Sequence, residues 1–128
     1  MSNALRADVA ARILVVEDED ELCVLLADQL ESAGYQPVCV SDDETAHRTL
    51  DAEHRALTAL VVDINLGRGT TGYDVARYAR RLNPSLPVIY TTGGAAESFT
   101  AHQVEGARLL EKPFTREELL AALEQAAG

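Results

Sequence analysis

Five short apolar runs recur along the chain, each separated from the next by enough sequence for one helix. They are Ile13-Leu14-Val15-Val16, Val38-Cys39-Val40, Ala59-Leu60-Val61-Val62, Val88-Ile89-Tyr90 and Leu109-Leu110. Runs this short, most of them β-branched, read as buried strands. The segments between them carry helical spacing. Leu22, Leu25, Leu26, Leu30 and Ala33 recur at three and four, and Gly34 follows as a stop. A second helix is capped within Ser41-Asp42-Asp43 and carries Ala46 and Leu50 four apart. A third places Val75, Ala79 and Leu82 on one face and ends before Pro84. A fourth falls within 95–104. A fifth opens on Thr115-Arg116-Glu117-Glu118, a capping box in which residues 115 and 118 satisfy each other's free N–H groups, and buries Leu119, Leu120 and Leu123. Strict β/α alternation with short loops implies an α/β fold, a parallel sheet wound on both faces. Such sheets bind ligands beyond the carboxyl ends of their strands, where the strand order reverses.

At 128 residues the chain is the size of one domain. Residues 1–11 precede the first strand and read as a flexible N-terminal extension, leaving 12–128 as the folded unit. No segment is apolar for long enough to span a bilayer and no basic-then-apolar leader is present, so the expected location is the cytoplasm, with no membrane partner. The formal charge of −10 disfavours direct nucleic-acid binding, which needs a basic face. Cys23 and Cys39 make no C-x-x-C and read as small buried hydrophobes of a reducing compartment, with a disulfide the less favoured alternative. His47, His54 and His102 lack metal-ligand spacing, and Arg77, Arg80 and Arg81 read as a solvated helix face.

The residues that carry chemistry gather at the predicted strand ends. Glu17-Asp18-Glu19-Asp20 follows the first strand and Asp63 follows the third. Carboxylates crowded in this way raise one another's pKa unless a cation neutralises them, and hard oxygen donors suit Mg²⁺. For Glu19 and Asp20 the favoured reading is different, namely charges that complement the dipole of the following helix. Thr91, Thr92, Gly93 and Gly94 follow the fourth strand and Lys112-Pro113 the fifth. An ammonium and a hydroxyl there can each pair with a phosphoryl oxygen.

Taken together, Val-Val-Glu-Asp at 15–18, Val-Val-Asp-Ile-Asn at 61–65, Tyr-Thr-Thr-Gly at 90–93 and Glu-Lys-Pro-Phe-Thr at 111–115 resemble the receiver domains of two-component response regulators, over about residues 12 to 127. The resemblance implies a flavodoxin-like (βα)5 fold with strand order 2-1-3-4-5. It also implies Asp63 as phosphoacceptor, Asp18 as a direct ligand of Mg²⁺ (or Mn²⁺), Glu17 acting through metal-bound water, and Asn65 lending its backbone carbonyl. Thr92 is then the hydroxyl that turns to the phosphoryl group, and Lys112 the lysine that pairs with it through a cis Lys112-Pro113 peptide. Gly93 keeps the approach open, and Gly94 with Asn65 tunes water access. The implied partners are a histidine kinase or phosphotransfer protein and a downstream protein that reads the fourth helix, fifth strand and fifth helix. Three departures from the family pattern are Glu at 17 where Asp is common, a Gly-rich loop without proline after Asp63, and Leu109 where an aromatic usually swings inward.

The implied function is signal relay, with self-catalysed phosphoryl transfer and autodephosphorylation rather than turnover of a substrate. Two other classes are weighed against it. A dehalogenase-type aspartyl enzyme carries its nucleophile after the first strand as Asp-x-Asp, unlike Asp63 here. A phosphorylation-independent interaction domain on the same fold remains the second reading.

Overall fold

The computed structural model describes residues 11–67, 71–94 and 102–127. Its strands are β1 (Arg12–Val16), β2 (Gln36–Val40), β3 (Leu57–Asp63), β4 (Val88–Thr92) and β5 (Arg108–Glu111). Its helices are α1 (Asp20–Ser32), α2 (Asp43–Glu53), α3 (Gly72–Leu82) and α4 (Arg116–Ala127), the last being the fifth helical segment of the sequence. All pairings are parallel, in the order β2-β1-β3-β4-β5, so the chain forms the expected flavodoxin-like sheet. The order reverses between β1 and β3, which puts the residues after Val16 beside Asp63.

Alternate strand residues feed two separate cores, as the period of two requires. Leu14, Val16, Leu60, Val62, Val88 and Tyr90 face α2 and α3, where they meet Ala46, Leu50, Val75, Ala76 and Ala79. Ile13, Val15, Ala59, Val61 and Ile89 face α1 and α4, where they meet Cys23, Leu26, Leu30, Leu119 and Leu123. Local chemistry sets the helix ends. Asp42 Oδ1 accepts from Thr45 N at 2.7 Å. The capping box forms as read, with Thr115 N donating to Glu118 Oε1 at 2.8 Å and Glu118 N to Thr115 Oγ1 at 3.0 Å. Gly34, at φ 93°, leaves α1 in the left-handed region that side chains with a Cβ avoid.

Several expectations are corrected. Asp63 and Thr91-Thr92 do not follow their strands but end them, because Asp63 pairs with Thr91 and Thr92 with Glu111 in the ladder. The α1 stripe also differs. Leu25 is 52% exposed, and the buried positions are Cys23, Leu26 and Leu30. The reason is that β2 is an edge strand and α1 leans toward it, rotating Cys23 inward. Cys23 and Cys39 are therefore not separate thiols. Their Cα atoms are 6.2 Å apart and the two are joined as a disulfide between α1 and β2. The Lys112-Pro113 peptide is cis, as expected. Most of the segment 95–104 and residues 1–10 lie outside the described residues, so the fourth predicted helix and the N-terminal extension do too.

These burial patterns separate two leucines of similar sequence context. Leu50→Ala, at a fully buried site, is expected to cost about 2–5 kcal/mol of unfolding free energy. Leu25→Ala should stay within about 0.5 kcal/mol. Urea denaturation of both variants, read by circular dichroism, checks the contrast.

Candidate functional site

The carboxyl ends of β1, β3, β4 and β5 surround a cleft of about 510 Å³ lined by Asp18, Asp63, Asn65, Thr92, Gly93 and Lys112 among others. Each side chain is placed by backbone pairing. Glu17 N donates to Val40 O at 3.0 Å, which fixes the exit of β1. Lys112 N donates to Thr92 O at 2.7 Å, so the lysine leaves β5 directly beside the end of β4. Asp63 sits at the end of the central strand and is only 5% exposed.

Asp63 is held at both oxygens. Its Oδ1 accepts from Asn65 N at 3.0 Å and its Oδ2 accepts from Lys112 Nζ at 2.9 Å. The same ammonium lies 3.1 Å from Glu17 Oε1 and 3.7 Å from Glu19 Oε1. Glu17 Oε2 accepts from Glu19 N at 3.1 Å. Burial of Gly72 is part of this construction, because a Cβ there would run into the Asp63 carbonyl. Glycine at that position lets α3 start directly under the Asp63 backbone.

One oxygen each from Glu17, Asp18 and Asp63 lies within 4.8 Å of the others. Glu17 is buried, and its Oε1 has only the Lys112 ammonium, 3.1 Å away, beside it. Three hard oxygen donors, one of them buried and under-satisfied, fit a small divalent cation of the Mg²⁺ type. Asp18 is exposed, so its carboxylate is the one of the three that is open to water. The loop after Asp63 closes on this side. Gly67, at φ 76°, donates from its N to Asn65 Oδ1 at 3.2 Å, and a Cβ on it would lie 3.5 Å from Asp18 Oδ2.

The electrostatics follow from burial. Glu17 is pushed up to about 7, first by burial and then by Asp63, against the Glu19 N–H and the Lys112 ammonium, which pull it down. Burial pulls Lys112 down, but its hydrogen bonds to Asp63 and Glu17 outweigh that and hold it above the usual lysine value. The lysine is thus charged at neutral pH and the buried glutamate is not firmly so. Thr92 is 8% exposed and lines the cleft. Its Oγ1 exchanges hydrogen bonds with Gly94 N and O, both at 3.2 Å. A Cβ at Gly93 would meet only Lys112 Cδ at 3.9 Å and one at Gly94 would meet nothing, so small residues there leave room over the cleft rather than avoid a clash.

Glu17, Asp18, Asp63, Asn65, Thr92, Gly93, Gly94 and Lys112 therefore converge as read from the sequence. Leu109 does not line the cleft and packs against the α2/α3-side core. Two features escaped the sequence reading. Glu19 was assigned to the helix dipole, yet it lines the cleft and reaches toward Lys112. An aromatic cluster is also present. The Tyr90 ring packs on Tyr73 at 5.1 Å, Tyr73 on His102 at 5.4 Å, and Tyr90 Oη accepts from Val104 N at 3.1 Å. The signal for it was Tyr90 itself, a polar-tipped ring in an otherwise aliphatic strand that demands a buried donor or acceptor.

A pH dependence follows for the metal-free protein. Glu17 binds its proton more tightly folded than unfolded, so its contribution to stability is complete below about 4.5 and is lost as pH rises through about 7. In the presence of a chelator, the urea midpoint should fall across that window, and Glu17→Gln should flatten the fall. An unchanged pH profile in the variant would remove Glu17 as its source.

The comparisons agree with this geometry. A family model described as the response regulator receiver domain matches residues 13–124. The response regulator receiver protein CpdR of Brucella abortus is 30% identical over 116 residues, covering 89% of this chain and 94% of the relative. Other curated relatives are longer, and the chain spans about half their length. A receiver protein from Sinorhizobium medicae superposes with a TM-score of 0.87 at 33% identity, over 93% of this chain and 95% of that one. The receiver domain of sensor histidine kinase PA1611 from Pseudomonas aeruginosa, solved with magnesium coordinated in its active-site cleft, gives 0.80 at 26% identity, over 94% and 99% of the two chains. With the strand order, the acidic cluster and the lysine of the cleft all in place, the chain belongs to the response regulator receiver domain family.

Proposed function

We propose that Asp63 accepts a phosphoryl group from a histidine kinase or phosphotransfer protein and that the phosphorylated domain changes its affinity for a downstream protein. The observation that carries this is the salt bridge of Lys112 Nζ to Asp63 Oδ2 beside the Glu17, Asp18 and Asp63 oxygen cluster. An aspartate oxygen forms the new O–P bond while the donor's N–P bond breaks, and the donor imidazole keeps the electron pair. Asp63 is already aimed by two hydrogen bonds, so little motion is needed to reach the reacting geometry. Lys112, charged and held above its usual pKa, is placed to pass from the carboxylate to a phosphoryl oxygen. Thr92 turns from Gly94 toward the same group.

Glu17, Asp18, Asp63 and the carbonyl of Asn65 would hold Mg²⁺ or Mn²⁺. When bound, the cation supplies positive charge that offsets both the clustered carboxylates and the transferring phosphoryl oxygens. The chain turns over no separate substrate in this reading. It catalyses its own modification and the later hydrolysis of the acyl phosphate, at a location we assign to the cytoplasm. A phosphorylation-independent interaction domain is disfavoured, because that role gives no reason to keep Asp63, Lys112 and Thr92 together at one sheet edge.

Incubation with acetyl phosphate and Mg²⁺ should add one phosphoryl group by intact mass, and Asp63→Asn should add none, since an amide is a poor nucleophile. Labelling of that variant at the wild-type level would overturn the assignment. Asp18→Asn should weaken Mg²⁺ binding more than Glu17→Gln, because a direct ligand is lost in the first and a water-mediated one in the second.

The output face in this reading is the segment 95–104 with β5 and α4. Leu109 has no ring to rotate, so phosphorylation should move Thr92 and the Gly93-Gly94 loop while Leu109 stays still, and the surface should be reshaped through residues 93–104. NMR shifts with and without a beryllofluoride mimic check this. A large rotamer change at Leu109 with residues 93–104 unmoved would refute it.

A further inference from the structure

Cys23 and Cys39 lie outside the cleft and serve none of the chemistry above, yet each touches the scaffold of its acidic loop. Cys23 N donates to Glu19 O at 2.9 Å in the first turn of α1. Cys39 immediately precedes Val40, whose carbonyl accepts from Glu17 N. A bond between the two sulfurs therefore spans from the residue that anchors Glu19 to the residue beside the one that anchors Glu17. We propose that the Cys23–Cys39 pair is a reversible redox modification site, closed by peroxide-class oxidants and opened by dithiols, that clamps the start of α1 to the sheet edge and thereby tightens the metal loop.

The placement supports both directions of the reaction. The Cα separation of 6.2 Å lies in the range a disulfide spans without backbone movement. The two sulfurs differ in access, Cys39 being exposed on an edge strand and Cys23 only 8% exposed on the inner face of α1. That asymmetry suits an attacking thiol and a shielded resolving one. Cys39 Sγ lies 3.4 Å from Cys23 O, so a thiol released there by reduction would have an acceptor beside it. An exposed disulfide is also open to thiol exchange, unlike one sealed in a core.

Closure balances as follows. The Cys39 thiol gives up its proton, the thiolate attacks a peroxide oxygen, the O–O bond breaks, and the sulfur becomes a sulfenic acid while the hydroxide that leaves takes up that proton as water. The Cys23 thiolate then attacks that sulfur, the S–S bond forms, and hydroxide leaves and is protonated. Two thiols lose two electrons and one hydrogen peroxide becomes two waters. A dithiol reductant reverses this by two exchange steps and is itself left as a disulfide.

The clamp rests on the metal reading of the acidic cluster, but the thiol chemistry does not. The full chain is treated with hydrogen peroxide, or with dithiothreitol, and each form is alkylated and weighed. The reduced form should take two alkyl groups and the oxidised form none, as a monomer. The oxidised form should melt about 10 °C higher, from the closed loop of the unfolded chain. By calorimetry it should bind Mg²⁺ several-fold more tightly than the reduced form, and Cys39→Ser should match the reduced form under both treatments. Two thiols remaining after peroxide, or pairing between chains, overturns the modification site. Pairing with identical Mg²⁺ affinity in both forms overturns the clamp. Absence of Mg²⁺ binding in either form overturns the metal reading on which the clamp rests, while alkylation still judges the pair.

Discussion

The placement of one ammonium group among several carboxylates is the constraint around which the site is built. Lys112 Nζ pairs with Asp63 and Glu17, which approach it from the ends of β3 and β1, and the lysine itself enters from the end of β5. No local structure brings these together, since Lys112 and Asp63 are 49 residues apart. Only a parallel sheet with all carboxyl ends on one side does so. Burial would drive the ammonium toward its neutral form, and the carboxylates reverse that. Breaking such a pair by removing one charge leaves the other buried without compensation, a change of about 3–5 kcal/mol in comparable sites. The sheet order delivers this contact.

Much of this was legible in the sequence because the signals were redundant. The five runs announced strands by composition, the intervening segments announced helices by period, and polar residues stood at each strand's carboxyl end. Redundancy failed where one residue had to decide. Leu25 fits the α1 repeat as well as Leu26 does, and only the lean of α1 toward edge strand β2 exposes the first and buries Cys23. The meeting of Cys23 with Cys39 depends on that same rotation and on the β1–β2 register, neither of which is written locally. Strand ends were misplaced because Asp63 and Thr92 carry polar side chains on backbone that still pairs, and a hydropathy pattern sees only the side chain. Glu19 satisfies a helix-dipole argument whether or not Lys112 is nearby, so the sequence could not separate the two roles.

The aromatic cluster shows how a family pattern can be absent at one position and its physical need met at another. Leu109 pairs in the ladder with Tyr90, so the ring lacking on β5 has a neighbour on β4. Tyr90 is fully buried, and its hydroxyl is the acceptor that holds Val104 N where the chain returns to β5. Two residues further along β4, Thr92 faces the Gly93-Gly94 turn. A shift of Thr92 toward Asp63 acts on the strand that also carries Tyr90. In the proposed switch, coupling along β4 would need no rotating ring on β5, only a strand end that gives slightly under a buried hydrogen bond.

Position in the sheet divides the site into parts with different tolerance for motion. Asp63 belongs to β3, which has a paired strand on each edge and an apolar core on each face, so its carboxylate cannot drift without disturbing both cores. Asp18 and Asn65 stand on loops beyond the strand ends and are exposed to water, with no packing to hold them. In the proposed reading, a fixed Asp63 beside exposed oxygen donors is what covalent capture of a phosphoryl group would require. The reacting oxygen gains from being held in place, and Mg²⁺, which sheds its waters reluctantly, is better served by an open ligand set than by a rigid cage.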